Sequence, residues 1–257
     1  MFYRQDAMAL SRGRPWEWHR LIHVCQKWRD IILESTHRLG LQLFCTNGTP
    51  VRKTLHCWPK LPIVMRYGVF LGPNSLAEDA DEIAAALQQP GRIRIIQLAV
   101  TIPLLEKLAR ITQGEFPGLE ILELTTQTET GLILHDQFLG GAAPCLHTLR
   151  TTKIALPALP QLLLPSKNLV SLQLEAIPST GYIPPEHLIT TLSAMTSLEM
   201  FYIHFLSSTS RPDTKDFLEP TSKKASLPSL KYFEFHGDGE YLERLSDGID
   251  ASVKYIY

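Results

Sequence analysis

A six-residue pattern, apolar-x-x-apolar-x-apolar, recurs along this chain and restricts its folding more than any other feature. Its cleanest copy reads Leu169-Val-Ser-Leu172-Gln-Leu174. The others are Ile93-x-x-Ile96-x-Leu98, Leu119-x-x-Leu122-x-Leu124, Leu198-x-x-Phe201-x-Ile203 and Leu230-x-x-Phe233-x-Phe235. A sixth, Leu146-x-x-Leu149-x-Thr151, ends on threonine where an apolar residue is expected. The copies start at positions 93, 119, 146, 169, 198 and 230, in steps of 26, 27, 23, 29 and 32 residues. Each alternates apolar and polar residues at its end, as a short strand with one buried face does. Repetition at this period makes each copy one unit that buries its apolar side only by stacking on its neighbours.

The segments between copies complete the units. Asn74–Gln89 has a helical pattern, with Ser75 and Glu78 spaced as a capping box. Its cluster Glu78, Asp79, Asp81 and Glu82 suits a solvated helix start and lacks the spacing of a calcium loop. Pro103–Arg110, Pro184–Met195 and Asp238–Ile249 are further short helices. Leu39–Leu43 and Leu61–Tyr67 read as two early, irregular strands. Leu132–Phe138 is apolar but irregular, and the proline-rich Leu156–Pro165 reads as an extended return. Ser207–Lys224, rich in Ser, Thr, Pro and charge, reads as a mobile loop. The period and these connections predict an α/β fold of one kind, an irregular leucine-rich-repeat solenoid. Its parallel strands would line the concave face, with helices or turns on the convex face.

Composition narrows the setting. Of 257 residues, 44% are hydrophobic and 20% charged, a balance that supports a packed core rather than disorder. No apolar run approaches the roughly 20 residues of a membrane helix, and no secretory signal is visible. A cytoplasmic or nuclear location is expected. Cys25, Cys45, Cys57 and Cys145 form no C-x-x-C pair and are expected to be reduced and mostly buried. Asn47-Gly48-Thr49 is read as a turn. The net charge of −1 conceals an asymmetry: residues 1–66 hold 11 Lys and Arg against 4 Asp and Glu, and the rest hold 14 against 22. A basic head suits an acidic partner; without a Lys/Arg block or interleaved aromatics, nucleic acid is not expected.

Catalytic chemistry finds no footing. There is no nucleophile elbow, phosphate loop or dinucleotide fingerprint. His19 and His23 are four apart, but no glutamate follows His19 and no third ligand is spaced nearby, so neither a metal nor a cofactor is expected. The strand residues between core positions remain as a recognition surface. The candidate partner-binding set is Glu123, Thr125, Arg150, Gln173, Glu175, Tyr202, His204, Tyr232 and His236, with Gln97 and Glu234 in equivalent places.

At the other end, Pro15–Glu34 reads as a helix with one apolar stripe: Trp18, Leu21, Ile22, Cys25, Trp28 and Ile32. An amphipathic helix of this length must bury its stripe against something. Within it, Leu21-Ile-His-Val24-Cys25-Gln-Lys-Trp28-Arg29 resembles the later helical part of the F-box, Leu-x-x-Val-Cys-x-x-Trp. The continuation resembles a fungal set of F-box proteins with degenerate leucine-rich repeats. It runs through Cys45-Thr-Asn-Gly-Thr-Pro50 and Trp58-Pro59-x-Leu61-Pro62 to Leu159-Pro160-Gln-Leu-Leu-Leu164-Pro165. The family's opening Leu-Pro helix has no counterpart; Met1-Phe2-Tyr3-Arg4 resembles only its last turn.

The resemblance implies a partial F-box over residues 1–35 and a leucine-rich-repeat-like domain over 36–257, read as truncated at its C-terminal end. It implies a substrate-recognition subunit of a Skp–cullin–F-box ubiquitin ligase. Leu21, Val24, Cys25, Trp28 and Ile32 would meet the Skp-type adaptor, which links to the cullin scaffold, and the repeat face would hold a target protein. The alternative is a non-catalytic repeat scaffold whose N-terminal helix caps the array and binds no adaptor.

Overall fold

The computed structural model describes residues 23–35, 40–58, 61–68, 75–99, 101–126, 132–134, 138–156, 159–206 and 224–251. In chain order its elements are α1 (Gln26–Glu34), β1 (Leu43–Thr46), α2 (Val51–Cys57), β2 (Ile63–Tyr67), α3 (Ser75–Leu87), β3 (Ile93–Ala99) and α4 (Ile102–Ile111). Then come β4 (Ile121–Thr125), β5 (Leu132–Ile133), β6 (Thr148–Thr152), β7 (Ile154–Ala155), α5 (Leu159–Leu163) and β8 (Ser171–Ile177). The last are α6 (Pro185–Leu192), β9 (Met200–Phe205), β10 (Ala225–Ser226), β11 (Tyr232–His236), α7 (Gly239–Asp247) and β12 (Ile249–Asp250).

Eight strands form one sheet in the order β1-β2-β3-β4-β6-β8-β9-β11, and every neighbouring pair is parallel. Strand order follows chain order, and the connections are long enough for the crossovers that parallel pairing requires. The fold is α/β, as the alternation of strands and helices predicts. The register aligns the repeated pattern position by position: Ile96, Leu122, Leu149, Leu172, Phe201 and Phe233 form one row. Met65 and Cys45 extend it across β2 and β1. Each pattern position, Thr151 included, is buried. At about 1.5–3 kcal/mol for each large apolar side chain buried, these rows supply most of the drive to fold.

The inward rows share one core with the helices. Ile83 and Leu87 of α3, Leu105 and Leu108 of α4, Leu159 and Leu163 of α5, Leu188 and Leu192 of α6, and Tyr241 and Leu245 of α7 all join it. The helices therefore cover one side of the sheet. Residues between the core positions lie on the other side and stay mostly half-exposed.

A turn precedes every copy from the second onward. The N–H groups of Leu119, Leu146, Leu169, Leu198 and Leu230 donate to the carbonyls of Phe116, Ala143, Ser166, Met195 and Leu227. Those five are buried, so the repeated unit begins three residues earlier than the pattern suggests. Ser166 fits this apolar row because its Oγ donates to the carbonyl of Ala143, 2.7 Å away in the preceding unit. The carbonyls of Glu120, His147, Val170 and Glu199 each accept from two successive N–H groups of the next unit, at 2.8–3.1 Å.

Several expectations need correction. Residues 159–163 are a short helix rather than an extended return, since Pro160 falls in the first turn, where its missing N–H costs nothing. Residues 51–57 form a helix that the sequence reading passed over. Its N-terminal Arg52 N–H is met by Glu82 of α3 at 2.9 Å, so its cap comes from 30 residues away. Strand β1 begins at Leu43, where the Leu39–Leu43 reading ends. The acidic start of α3 is not simply solvated. Asp79, 4% exposed, accepts from the Gly48 N–H at 2.9 Å and from Asn47 Nδ2 at 3.1 Å. Asn47 Oδ1 in turn accepts from the Gly68 N–H at 3.2 Å. Gly48 has φ +74°, a left-handed conformation that glycine adopts without steric cost. The Asn47-Gly48-Thr49 turn is therefore clamped to α3. Asp81 pairs with Lys107 of α4 at 3.1 Å. Of the four free cysteines only Cys45 is buried; Cys25 and Cys57 are exposed and Cys145 is half-buried.

Some expectations lie outside the described residues: Trp18, Leu21, Ile22 and His19, the side chains of Ser75 and Glu78, residues 207–223 of the predicted loop, and the segment 252–257.

Candidate interaction surfaces

Two surfaces carry the residues that the sequence singles out. The first is α1. Its N-cap, Cys25, has extended backbone (φ −162°, ψ 169°) but makes no side-chain capping bond. Among its described side chains only Ile32, 3% exposed, joins the core cluster. Val24, Trp28 and Ile31 are 62%, 48% and 51% exposed. Trp28 and Ile31 share a helical spacing of three, while Val24 lies just ahead of the helix, because residues 23–25 are a turn and an extended N-cap rather than part of the predicted Pro15–Glu34 helix. The predicted stripe is thus divided. Cys25 and Trp28 do not bury against the chain, as the array-capping alternative would have them do, and Ile31, outside the predicted stripe, is exposed as they are. Ile32 does not face outward with them. It lies on the edge of the helix that meets the body and anchors α1, which is why Ile31, one residue earlier, turns away.

The second surface is the uncovered face of the sheet. All nine predicted residues lie there: Glu123 and Thr125 on β4, Arg150 on β6, Gln173 and Glu175 on β8, Tyr202 and His204 on β9, and Tyr232 and His236 on β11. Register places Glu123, Arg150, Gln173, Tyr202 and Glu234 in one row. His204 lies opposite His236. A second row, one position earlier, had gone unnoticed apart from Tyr232. It runs Phe44, Val64, Ile95, Ile121, Thr148, Ser171, Met200 and Tyr232. From Ile95 onward the signal for it is in the sequence, since each is the residue just before the central pattern position. Its first four members are apolar, so this row changes character between β4 and β6, while the row two positions on is polar throughout β1–β4, as Thr46, Arg66, Gln97 and Glu123.

The polar half is knit together. Glu175 Oε2 accepts from Arg150 Nη2 at 3.3 Å and from Thr152 Oγ1 at 3.2 Å. The Tyr232 hydroxyl donates to Glu234 Oε2, and His236 Nε2 lies 2.7 Å from Glu234 Oε1. Burial pushes the Glu234 carboxyl up, but the bonds from Tyr232 and His236 outweigh it and hold the group below the ordinary glutamate range. The His236 ring centroid is 5.3 Å from that of His204 and 5.7 Å from that of Tyr202. Burial, then the neighbouring His236, hold the His204 imidazole below its usual range, against the pull of Glu175 and Glu234. Burial, then Glu175 and Glu234, raise the Tyr202 phenol. A left-handed residue, Ala176 (φ +51°), shifts the register of β8 against β9 immediately after Glu175.

Among the described residues no group of three or more His, Cys, Asp or Glu side chains is arranged to hold a metal ion. No described helix is long and apolar enough to cross a membrane. Burial pushes the Cys45 thiol up to about 12, which suits a packing role rather than a nucleophilic one. The chain matches no protein-family model, no curated protein and no solved structure.

Proposed function

We propose that this chain is a substrate-recognition subunit of a Skp–cullin–F-box ubiquitin ligase, with residues 1–35 a partial F-box and residues 36–257 an irregular leucine-rich-repeat solenoid. The observation that carries the reading is α1. It holds itself to the body by Ile32 and offers Trp28 and Ile31 outward, with exposed Val24 just ahead of it. A soluble chain keeps such a triplet exposed at a cost unless a partner covers it. Val24 and Trp28 stand in the segment that resembles the adaptor-binding part of the F-box, and Ile31 lies just beyond it. In this reading the open sheet face is the concave face of the solenoid and holds the target, while other subunits perform ubiquitin transfer. The chain itself is then a non-enzymatic receptor.

The test is co-purification with a Skp-type adaptor. The unaltered chain should capture it, and Trp28→Ala or Val24→Asp should abolish capture while leaving thermal unfolding unchanged. Absence of capture, or capture indifferent to both substitutions, would replace the receptor by a repeat scaffold that binds no adaptor.

A further inference from the structure

We infer that the open face over β8, β9 and β11 is a docking site for an arginine side chain presented by the target protein. The inference rests on reading this face as the recognition surface, and it names the chemistry that the face selects.

Charge is the first argument. At the open-face positions of β4 to β11 there are three carboxylates, Glu123, Glu175 and Glu234, against one guanidinium, Arg150. Arg150 is already engaged by Glu175 at 3.3 Å. An anionic ligand would meet uncompensated carboxylates, and a cationic one would meet complementary charge.

Geometry is the second. Tyr202 lies directly opposite Glu234 and beside Gln173, two residues from Glu175, so its ring is flanked by carboxylates on both sides. Both carboxylates are oriented by neighbours yet keep capacity to accept. Each oxygen of Glu234 takes one bond, from Tyr232 or from His236, and retains a lone pair. Glu175 uses Oε2 for Arg150 and Thr152, leaving Oε1 for a ligand.

The third argument separates arginine from lysine. Tyr202, His204 and His236 cluster their rings, that of His236 lying 5.7 Å from Tyr202 and 5.3 Å from His204 at inclinations of 52° and 64°. A guanidinium is planar and weakly hydrated, so it stacks on such rings while its N–H groups fork toward carboxylates. An ammonium is a compact, strongly hydrated charge and gains less from stacking on a ring face.

The test uses three fluorescein-labelled peptides of sequence Ser-X-Ser-X-Ser-X-Ser, with X arginine, lysine or citrulline, and fluorescence anisotropy with the full chain. Citrulline keeps the shape of arginine without its charge. The arginine peptide should bind, the lysine peptide about 3-fold or more weakly, and the citrulline peptide not measurably. Tyr202→Leu should weaken the arginine peptide about 5- to 10-fold, and Glu175→Gln and Glu234→Gln should each weaken it about 3- to 10-fold. If Tyr202→Leu fails to fold by circular dichroism, the two isosteric glutamine variants decide the matter. No binding of the arginine peptide, equal binding of the citrulline or lysine peptide, or folded variants that bind as tightly as the unaltered chain would each overturn the assignment. Adaptor capture by the unaltered chain is scored separately. Capture without peptide binding refutes this site alone, and peptide binding without capture refutes the ligase reading alone.

Discussion

Helices α1 and α7 are both nine residues long and amphipathic, yet they put their apolar sides to opposite uses. In α7, Asp238 caps the first turn by accepting from the Glu240 N–H at 2.8 Å and the Tyr241 N–H at 3.3 Å. Glu240 and Arg244 pair along the helix at 2.9 Å, and Arg244 reaches Glu186 of α6 at 3.8 Å. Tyr241 turns inward, where its ring meets Phe205 at 4.9 Å and Phe235 at 5.6 Å and its hydroxyl donates to the Ile183 carbonyl at 2.9 Å. Helix α1 has no side-chain cap, one buried anchor among its described side chains, and its largest side chain, Trp28, faces outward. A short helix is marginal by itself, so its stability comes from what its apolar side touches. Helix α7 finds that contact inside the chain. Helix α1 leaves most of it available to something else.

The largest expected effect separates the two aromatics. Tyr241→Ala should lower unfolding free energy by about 3–5 kcal/mol, whereas Trp28→Ala should change it by no more than about 0.5 kcal/mol. Urea titrations of both variants measure this, and comparable losses would break the contrast. Next comes the anchor. Ile32→Ala should speed amide exchange in α1 by about 10- to 100-fold while core amides in β8 and β9 stay protected. Uniform loss of protection would mean that α1 belongs to the main cooperative unit. The caps should differ by about 1 kcal/mol: Asp238→Ala removes that much from α7, and Cys25→Ser, placing a hydroxyl at the vacant cap of α1, slows exchange there. The smallest test checks the body on which both helices rest. Thr151 buries a hydroxyl that has no hydrogen-bond partner, so Thr151→Val should raise the melting temperature, by about 1 kcal/mol of stability. A lower melting temperature would show the hydroxyl to be satisfied.

The parts of the fold that were legible in the sequence are those governed by near neighbours. Alternation in Leu169–Leu174 and its copies gives strand, buried face and parallel order together, because a one-residue slip would turn every leucine to solvent. Thr151 was flagged at the same time as an oddity, and the structure gives it a physical meaning as an unpartnered buried hydroxyl. The features that escaped depend on distant partners. Nothing within Val51–Cys57 announces a helix whose first N–H is capped by Glu82, and nothing beside Asp79 shows that it will hold the turn at Asn47–Gly48. The open-face residues of β4 to β11 were legible because they interleave with the pattern. Phe44 and Val64 were not, since β1 and β2 carry no clear copy of that pattern to count from. The division of α1 between Ile32 and Ile31 turns on how the helix rolls against the body, which periodicity alone leaves open.

The paired donations onto the carbonyls of Glu120, His147, Val170 and Glu199 have a consequence for how the chain assembles. Each strand of the main sheet is templated only by the strand laid down just before it, so no main-sheet pairing waits for a distant part of the chain. Pairs about 25–30 residues apart keep loop-closure entropy low and favour rapid growth from any formed nucleus. During synthesis, each unit leaving the ribosome finds the exposed edge of the last one already in place.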